Sequence, residues 1–179
     1  MKESPTGNVR RPGNPPPRDR RISADEIERI CLAPGFEEEP IRTKSQAVAV
    51  AFLFAIETAM RAGEICGLKP EHINHRVAHL PMTKNGTKRD VPLTKRAVEL
   101  LSFLPKQPKG QASKPLFTRS APSLGAMFYK VKAACLIEEM TFHDTRHEAI
   151  TRLAKKLNVL ELARMVGHRD LKMLQIYYN

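Results

Sequence analysis

The chain has 179 residues and a formal net charge of +11, with 30 Lys and Arg against 19 Asp and Glu. That length supports one compact domain with a real core, and the positive balance favours a polyanionic partner over a face charged for solubility alone. Neither an apolar run of about 18 residues nor a signal-peptide core is present, and Cys31, Cys66 and Cys135 lie too far apart for a disulfide framework or a thiolate zinc site.

These features predict a soluble, intracellular protein with reduced, mostly buried thiols. The first 21 residues, MKESPTGNVRRPGNPPPRDRR, hold five prolines, two glycines and six Lys or Arg. Such a segment cannot bury enough surface to fold, so residues 1–21 are predicted as a semi-rigid basic linker and 22–179 as the folded domain. A linker at the amino end implies a fragment whose preceding domain is absent.

Ser23-Ala-Asp-Glu26 reads as a capping box that starts a helix at Ala24, running to about Leu32. KSQAVAVAFLFAIETAM is apolar on nearly every face, which predicts a central buried helix from Lys44 to Met60. RAGEICGL reads as a short helical turn. The strand-like region follows, VAHLPMTKNGTKRDVPL, where Asn85-Gly86 favours a tight hairpin and Pro81 and Pro92 restrict the sheet to edge positions. Thr94 then caps a helix over KRAVELLSFL. Further helices are predicted from about Ser123 to Leu136, Asp144 to Leu157, Val159 to a stop at Gly167, and Asp170 to the end, where no stop signal marks the last helix. The fold class is therefore mainly α with a small antiparallel β-sheet (α+β).

Several residues fit packing poorly. Arg61 follows the buried helix, with Glu64 on the same helical face; the pair is either a local ion pair or part of a site. Lys84 precedes the hairpin turn, where a solvated lysine is the plainer reading. His143 and Arg146 stand at a helix amino end, whose free amides favour an anion; the alternative is a capping histidine with a surface arginine. Gly167-His168 presents an imidazole at a helix stop. Leu171, Leu174 and Tyr178 form an apparent core stripe, which leaves Tyr177 freer. Two arginines, a lysine, two histidines and a tyrosine suit a phenolic nucleophile attacking a phosphodiester, with arginines clamping its nonbridging oxygens and the lysine protonating the leaving oxygen.

The boxes TAMRAGEICGL, TKNGTKRDVPL, FHDTRHEAITR and VGHRDLKMLQIYYN occur in one order across residues 58–179. With them the chain resembles the catalytic domain of the tyrosine recombinase (phage integrase) family. Its wording is similar to mobile-element integrases and shufflon-type DNA invertases. The resemblance implies a site-specific recombinase that cleaves and rejoins DNA through a 3′-phosphotyrosine, without cofactor. It also implies that Arg61 and Arg146 hold the scissile phosphate, Lys84 is the general acid, His143 and His168 assist proton movement, and Glu64 supports the site. The nucleophile is expected nine residues after the second histidine, at Tyr177. The Pro-rich start resembles the family's linker from an amino-terminal DNA-binding domain. Double-stranded DNA is the implied partner, with a tetramer on DNA for the full-length protein, a monomeric fragment here, and a cytoplasmic, nucleoid-associated location. Thr145 departs from the family's usual apolar residue and is expected to loosen local packing. His147 is expected to pack rather than catalyse, and Arg152 to reach outward.

Rival readings are a DNA-binding module without catalysis, built on a carboxyl-terminal helix-turn-helix, an inactive recombinase relative, and a type IB topoisomerase. A metal at His72, His75 and His79 is weaker, because EHINHRVAHL spans a turn entering a strand.

Overall fold

The computed structural model describes residues 20–81, 88–108, 113–168 and 170–178. Helix α1 covers Ala24–Leu32 and α2 Lys44–Thr58. Both begin at complete capping boxes, Ser23 with Glu26 and Thr43 with Gln46, so their first amides are satisfied by side chains. α2 is buried on almost every face, as its composition predicts, and packs against α1, α4, α5 and α6. It stops two residues short of the predicted end. Thr58 Oγ1 donates back to the Phe54 carbonyl at 2.7 Å, and Ala59 adopts φ 53, a left-handed conformation that breaks the helix.

α3 spans Ala62–Cys66, and a 3-10 turn over Pro70–His72 leads into the sheet. Its strands β1 (Ile73–Asn74), β2 (Val77–Leu80) and β3 (Arg89–Pro92) are antiparallel in that order. The sequence predicts only the β2–β3 pair; β1 is added by a turn at His75, whose φ is 53. Pro92 lies on the edge strand β3, where a missing amide donor leaves no central ladder open. The Asn85-Gly86 turn and Lys84 fall outside the described residues.

Thr94 caps α4 (Lys95–Ser102), and Ser120 caps α5 (Ala121–Ala134), two residues before the predicted start. Then follow α6 (Asp144–Ala154), α7 (Val159–Val166) and a single turn, α8 (Lys172–Gln175). α6 ends earlier than predicted, and α8 does not run on to the chain end. Cys31, Cys66 and Cys135 are free thiols, the latter two buried.

Two apolar clusters hold these elements. The larger surrounds α2, where Phe52 stacks on Phe128 and Phe128 meets Phe142 edge-on, each pair 5.5 Å between centroids. The smaller joins Ala59 to Ala149, Ile150, Leu162, Val166 and Leu174, so α6, α7 and α8 are fastened to the broken end of α2. Arg20 and Arg21, at the end of the predicted linker, pair with Glu26 and Glu148 and already belong to the folded contacts.

Candidate active site

The break after α2 builds the site. Arg61 is the residue before α3, and its amide donates to Glu64 Oε2 at 2.8 Å while its Nη1 reaches Glu64 Oε1 at 3.2 Å. The predicted pair therefore forms, but Glu64 has a second partner that the sequence reading missed. Arg89 enters from β3 with its side chain 4% exposed, and its Nη2 donates to Glu64 Oε2 at 2.5 Å. Strand parity carries the signal for it: Val91 faces the core, so Arg89, two residues away, must do the same. Burial alone would raise the Glu64 carboxyl, yet Arg89, the Arg61 amide and the Arg61 charge hold it below the usual carboxylate range.

Arg146 is buried on α6. Its Nη1 donates to the Ala59 carbonyl and its Nη2 to the Val166 carbonyl at 2.6 Å. The left-handed turn at Ala59 and the carboxyl end of α7 thus fix one guanidinium from both sides. Carbonyls position this cation without neutralising it. Burial, then the charges of Arg61 and Arg89, lower its proton affinity to a pKa of about 9.

His143 precedes α6 in helical conformation and makes no side-chain cap, so the capping alternative fails. Asp144 closes the turn instead, accepting from the Thr141 amide at 2.6 Å and hydroxyl at 3.0 Å. Desolvation, followed by the Arg146 and Arg61 charges, keeps the His143 imidazole below its ordinary pKa. His168 follows Gly167, whose φ of +69 ends α7. Burial first, then Arg146, Arg61, Arg89 and His143, depress His168 to about 4, so both imidazoles are neutral at pH 7.

Thr145 is corrected by the structure. It is buried and its hydroxyl donates to the Phe142 carbonyl at 2.6 Å, so the turn satisfies it and no packing is lost. Arg152 does extend to the surface, where its Nε donates to Glu148 Oε1 at 2.8 Å. His147 packs against the Tyr177 ring, with centroids 4.9 Å apart.

The predicted core stripe through Tyr178 is also corrected. Leu174 is fully buried, but Leu171 and Tyr178 are exposed, whereas Tyr177 packs on the smaller cluster. Helical periodicity does not reach the tyrosines because α8 is one turn long. Tyr178 donates its hydroxyl to the Leu157 carbonyl at 2.8 Å. Tyr177 instead lies within electrostatic range of Arg146.

The three histidines of EHINHRVAHL have separate partners: the Lys69 amide for His72, Asn74 for His75 and Asp90 for His79. A relatively enclosed apolar cavity, lined by Ile41, Val48, Leu104 and Phe117, contains none of the candidate site residues.

In a helical domain with a marginal sheet, two guanidiniums hold one carboxylate and a third, buried guanidinium stands nearby on backbone carbonyls, beside two neutral imidazoles and a phenol, an arrangement suited to an anion. Residues 20–179 match the phage integrase family, and the chain belongs to it. It is 42% identical over 181 residues to a Haemophilus influenzae protein described as an integrase/recombinase, covering 99% of this chain and 59% of that one. A shufflon-specific DNA recombinase of Escherichia coli is 40% identical over 178 residues, with 97% of this chain and 44% of that protein covered. The chain thus spans about half the length of these relatives. The fold is shared with the Tn1549 transposon integrase solved with a circular intermediate DNA: TM-score 0.71, 19% identity, 93% of this chain and 63% of that one.

Proposed function

We propose that this chain is the catalytic domain of a site-specific DNA recombinase that breaks and rejoins strands through Tyr177. The observation that carries the reading is the surplus of positive charge held out of water: Arg61, Arg89 and Arg146 against Glu64, with Tyr177 within range of Arg146. A phosphodiester supplies the missing negative charge. Its nonbridging oxygens take the remaining N–H groups of Arg61 and Arg146, whose positions are fixed before the substrate arrives.

The Tyr177 oxygen attacks phosphorus, a bond forms to the 3′-phosphate, and the bond to the 5′-oxygen breaks. The phenolic proton passes to a neutral imidazole, His143 or His168, and Lys84 protonates the departing 5′-oxygen. Rejoining is the reverse, so the phosphodiester energy is conserved in the protein–DNA link. Tyr178 is a poor alternative because its hydroxyl is already donated to Leu157. One active site cuts one strand, so exchange of two duplexes needs four protomers, assembled on DNA. The site of action is chromosomal or element DNA in the cytoplasm.

The reading is tested with nicked duplexes of randomised sequence, incubated with wild type, Tyr177→Phe and Tyr178→Phe and resolved on a denaturing gel. A covalent adduct lost only in Tyr177→Phe supports it. An adduct that survives Tyr177→Phe moves the nucleophile to another side chain and overturns the assignment, and binding without any adduct transfers the case to a DNA-binding module.

A further inference from the structure

Arg89 lies outside the groups to which the strand-transfer chemistry was assigned, yet it is the most deeply enclosed arginine bonded to Glu64. We propose that Arg89 is a positioning residue that clamps the Arg61–Glu64 turn to the Gly167–His168 turn, fixing where His168 stands during strand transfer; this rests on the recombinase reading above.

The geometry is a continuous chain of contacts. Nη1 of Arg89 donates to the Met165 carbonyl at the end of α7, and Nη2 donates to Glu64 Oε2, the same oxygen that accepts the Arg61 amide. One planar fork therefore spans two turns that are about a hundred residues apart in sequence. Gly167 completes the fit: a Cβ there would stand 3.0 Å from Arg89 Cδ. Arg89 also lies five residues after Lys84 in the sequence. A buried ion pair is a weak stabiliser compared with apolar packing, so its value here is register.

Arg89→Lys tests this, because it keeps the charge but cannot bridge two acceptors held in a fixed fork. The expected result is cooperative melting, affinity for nicked duplex within about threefold of wild type, and an adduct rate at saturating DNA reduced by about 30-fold or more. The His168 ring, read by NMR, answers independently of activity. His168 faces Arg146, Arg61, Arg89 and His143. With the charge at 89 retained, a titration that rises from about 4 toward 6.5 reports a ring that has lost its buried place among these cations. A His168 titration still near 4, or a wild-type adduct rate, overturns the proposal. If wild type forms no adduct, the recombinase reading falls and the His168 titration alone decides the clamp.

A second pair of variants removes dependence on the folding of Arg89→Lys. Gly167→Ala and Gly35→Ala impose the same backbone strain, since both glycines have φ +69, but only the first meets Arg89; the space around Gly35 is open. Gly167→Ala is expected to reproduce the Arg89→Lys signature and Gly35→Ala to leave rate and titration unchanged. Equal behaviour of the two alanine variants overturns the clamp.

Discussion

Two carboxylates in this molecule are each gripped by two arginines, and they serve opposite ends. Glu148, 3% exposed, is held by Arg21 and Arg152, whose side chains remain 48% and 45% exposed. Glu64, 6% exposed, is held by Arg89 at 4% and Arg61 at 21%, with Arg146 buried nearby. At Glu148 the surplus cation is solvated, and the cluster ties the amino end to α6. At Glu64 the surplus is largely withdrawn from water, and on the proposed reading the same local chemistry receives an anion. Burial of the cations, rather than the identity of the pair, separates a fastening from a site.

The comparison breaks most visibly when one cation is removed from each centre. Arg146→Gln is expected to lower adduct formation about 10²- to 10³-fold, the scale of a lost transition-state donor. Arg21→Gln is expected to leave the rate at saturating DNA within about twofold, because its charge faces solvent. A similar loss in both variants, measured by single-turnover adduct formation, would erase the distinction.

Stability should show the reverse order. Arg21, Arg152 and the Ile22 amide more than offset the burial that would raise Glu148, and hold it at about 2 against an ordinary 4.5. A carboxyl whose folded pKa is depressed contributes stability above its unfolded pKa, and that contribution is lost as pH falls from about 4.5 to about 2. With its arginines half exposed, the contribution is discounted to about 1–2 kcal/mol. Glu148→Gln should lower the melting temperature at pH 7 and flatten the decline of stability between pH 5 and pH 2, as measured by thermal melts at about half-unit pH steps.

A smaller effect sharpens the account of the site. Docked phosphodiester offsets the guanidinium charges that depress His168, so the imidazole gains proton affinity on binding. The sign follows: affinity for nicked duplex should rise about two- to fivefold from pH 7.5 to pH 5.5, in fluorescence anisotropy at fixed salt, and this gain should vanish in His168→Asn. Smallest is Tyr178→Phe, which removes one surface hydrogen bond to Leu157. It should cost under about 1 kcal/mol and leave the adduct intact.

Much of this was legible in the sequence because the signals are local. Ser23 with Glu26 marks the start of α1, the all-apolar face marks α2, and Gly167 marks the end of α7. The Arg61–Glu64 pair follows from three-residue spacing, and four boxes in order carry the family. What escaped depends on tertiary contact. Ala59 enters the left-handed region without a glycine to announce it, and only the Arg146 hydrogen bond explains where its carbonyl goes. Arg89 reads as a strand residue until its facing partner, Glu64, is known. The two tyrosines were sorted by a helical period that a one-turn α8 cannot extend, while the spacing from His168 still selected Tyr177.

The most direct measurement is the titration of His168 by NMR in the chain alone and with a saturating nicked duplex, using Tyr177→Phe to prevent reaction. Surplus buried charge awaiting a phosphodiester predicts a ring held near 4 in the free chain, by burial first and by the guanidiniums second, whose titration rises when DNA is bound. A free ring already titrating near 6.5 and unmoved by DNA would contradict it, and would make the Glu64 centre a fastening like that at Glu148.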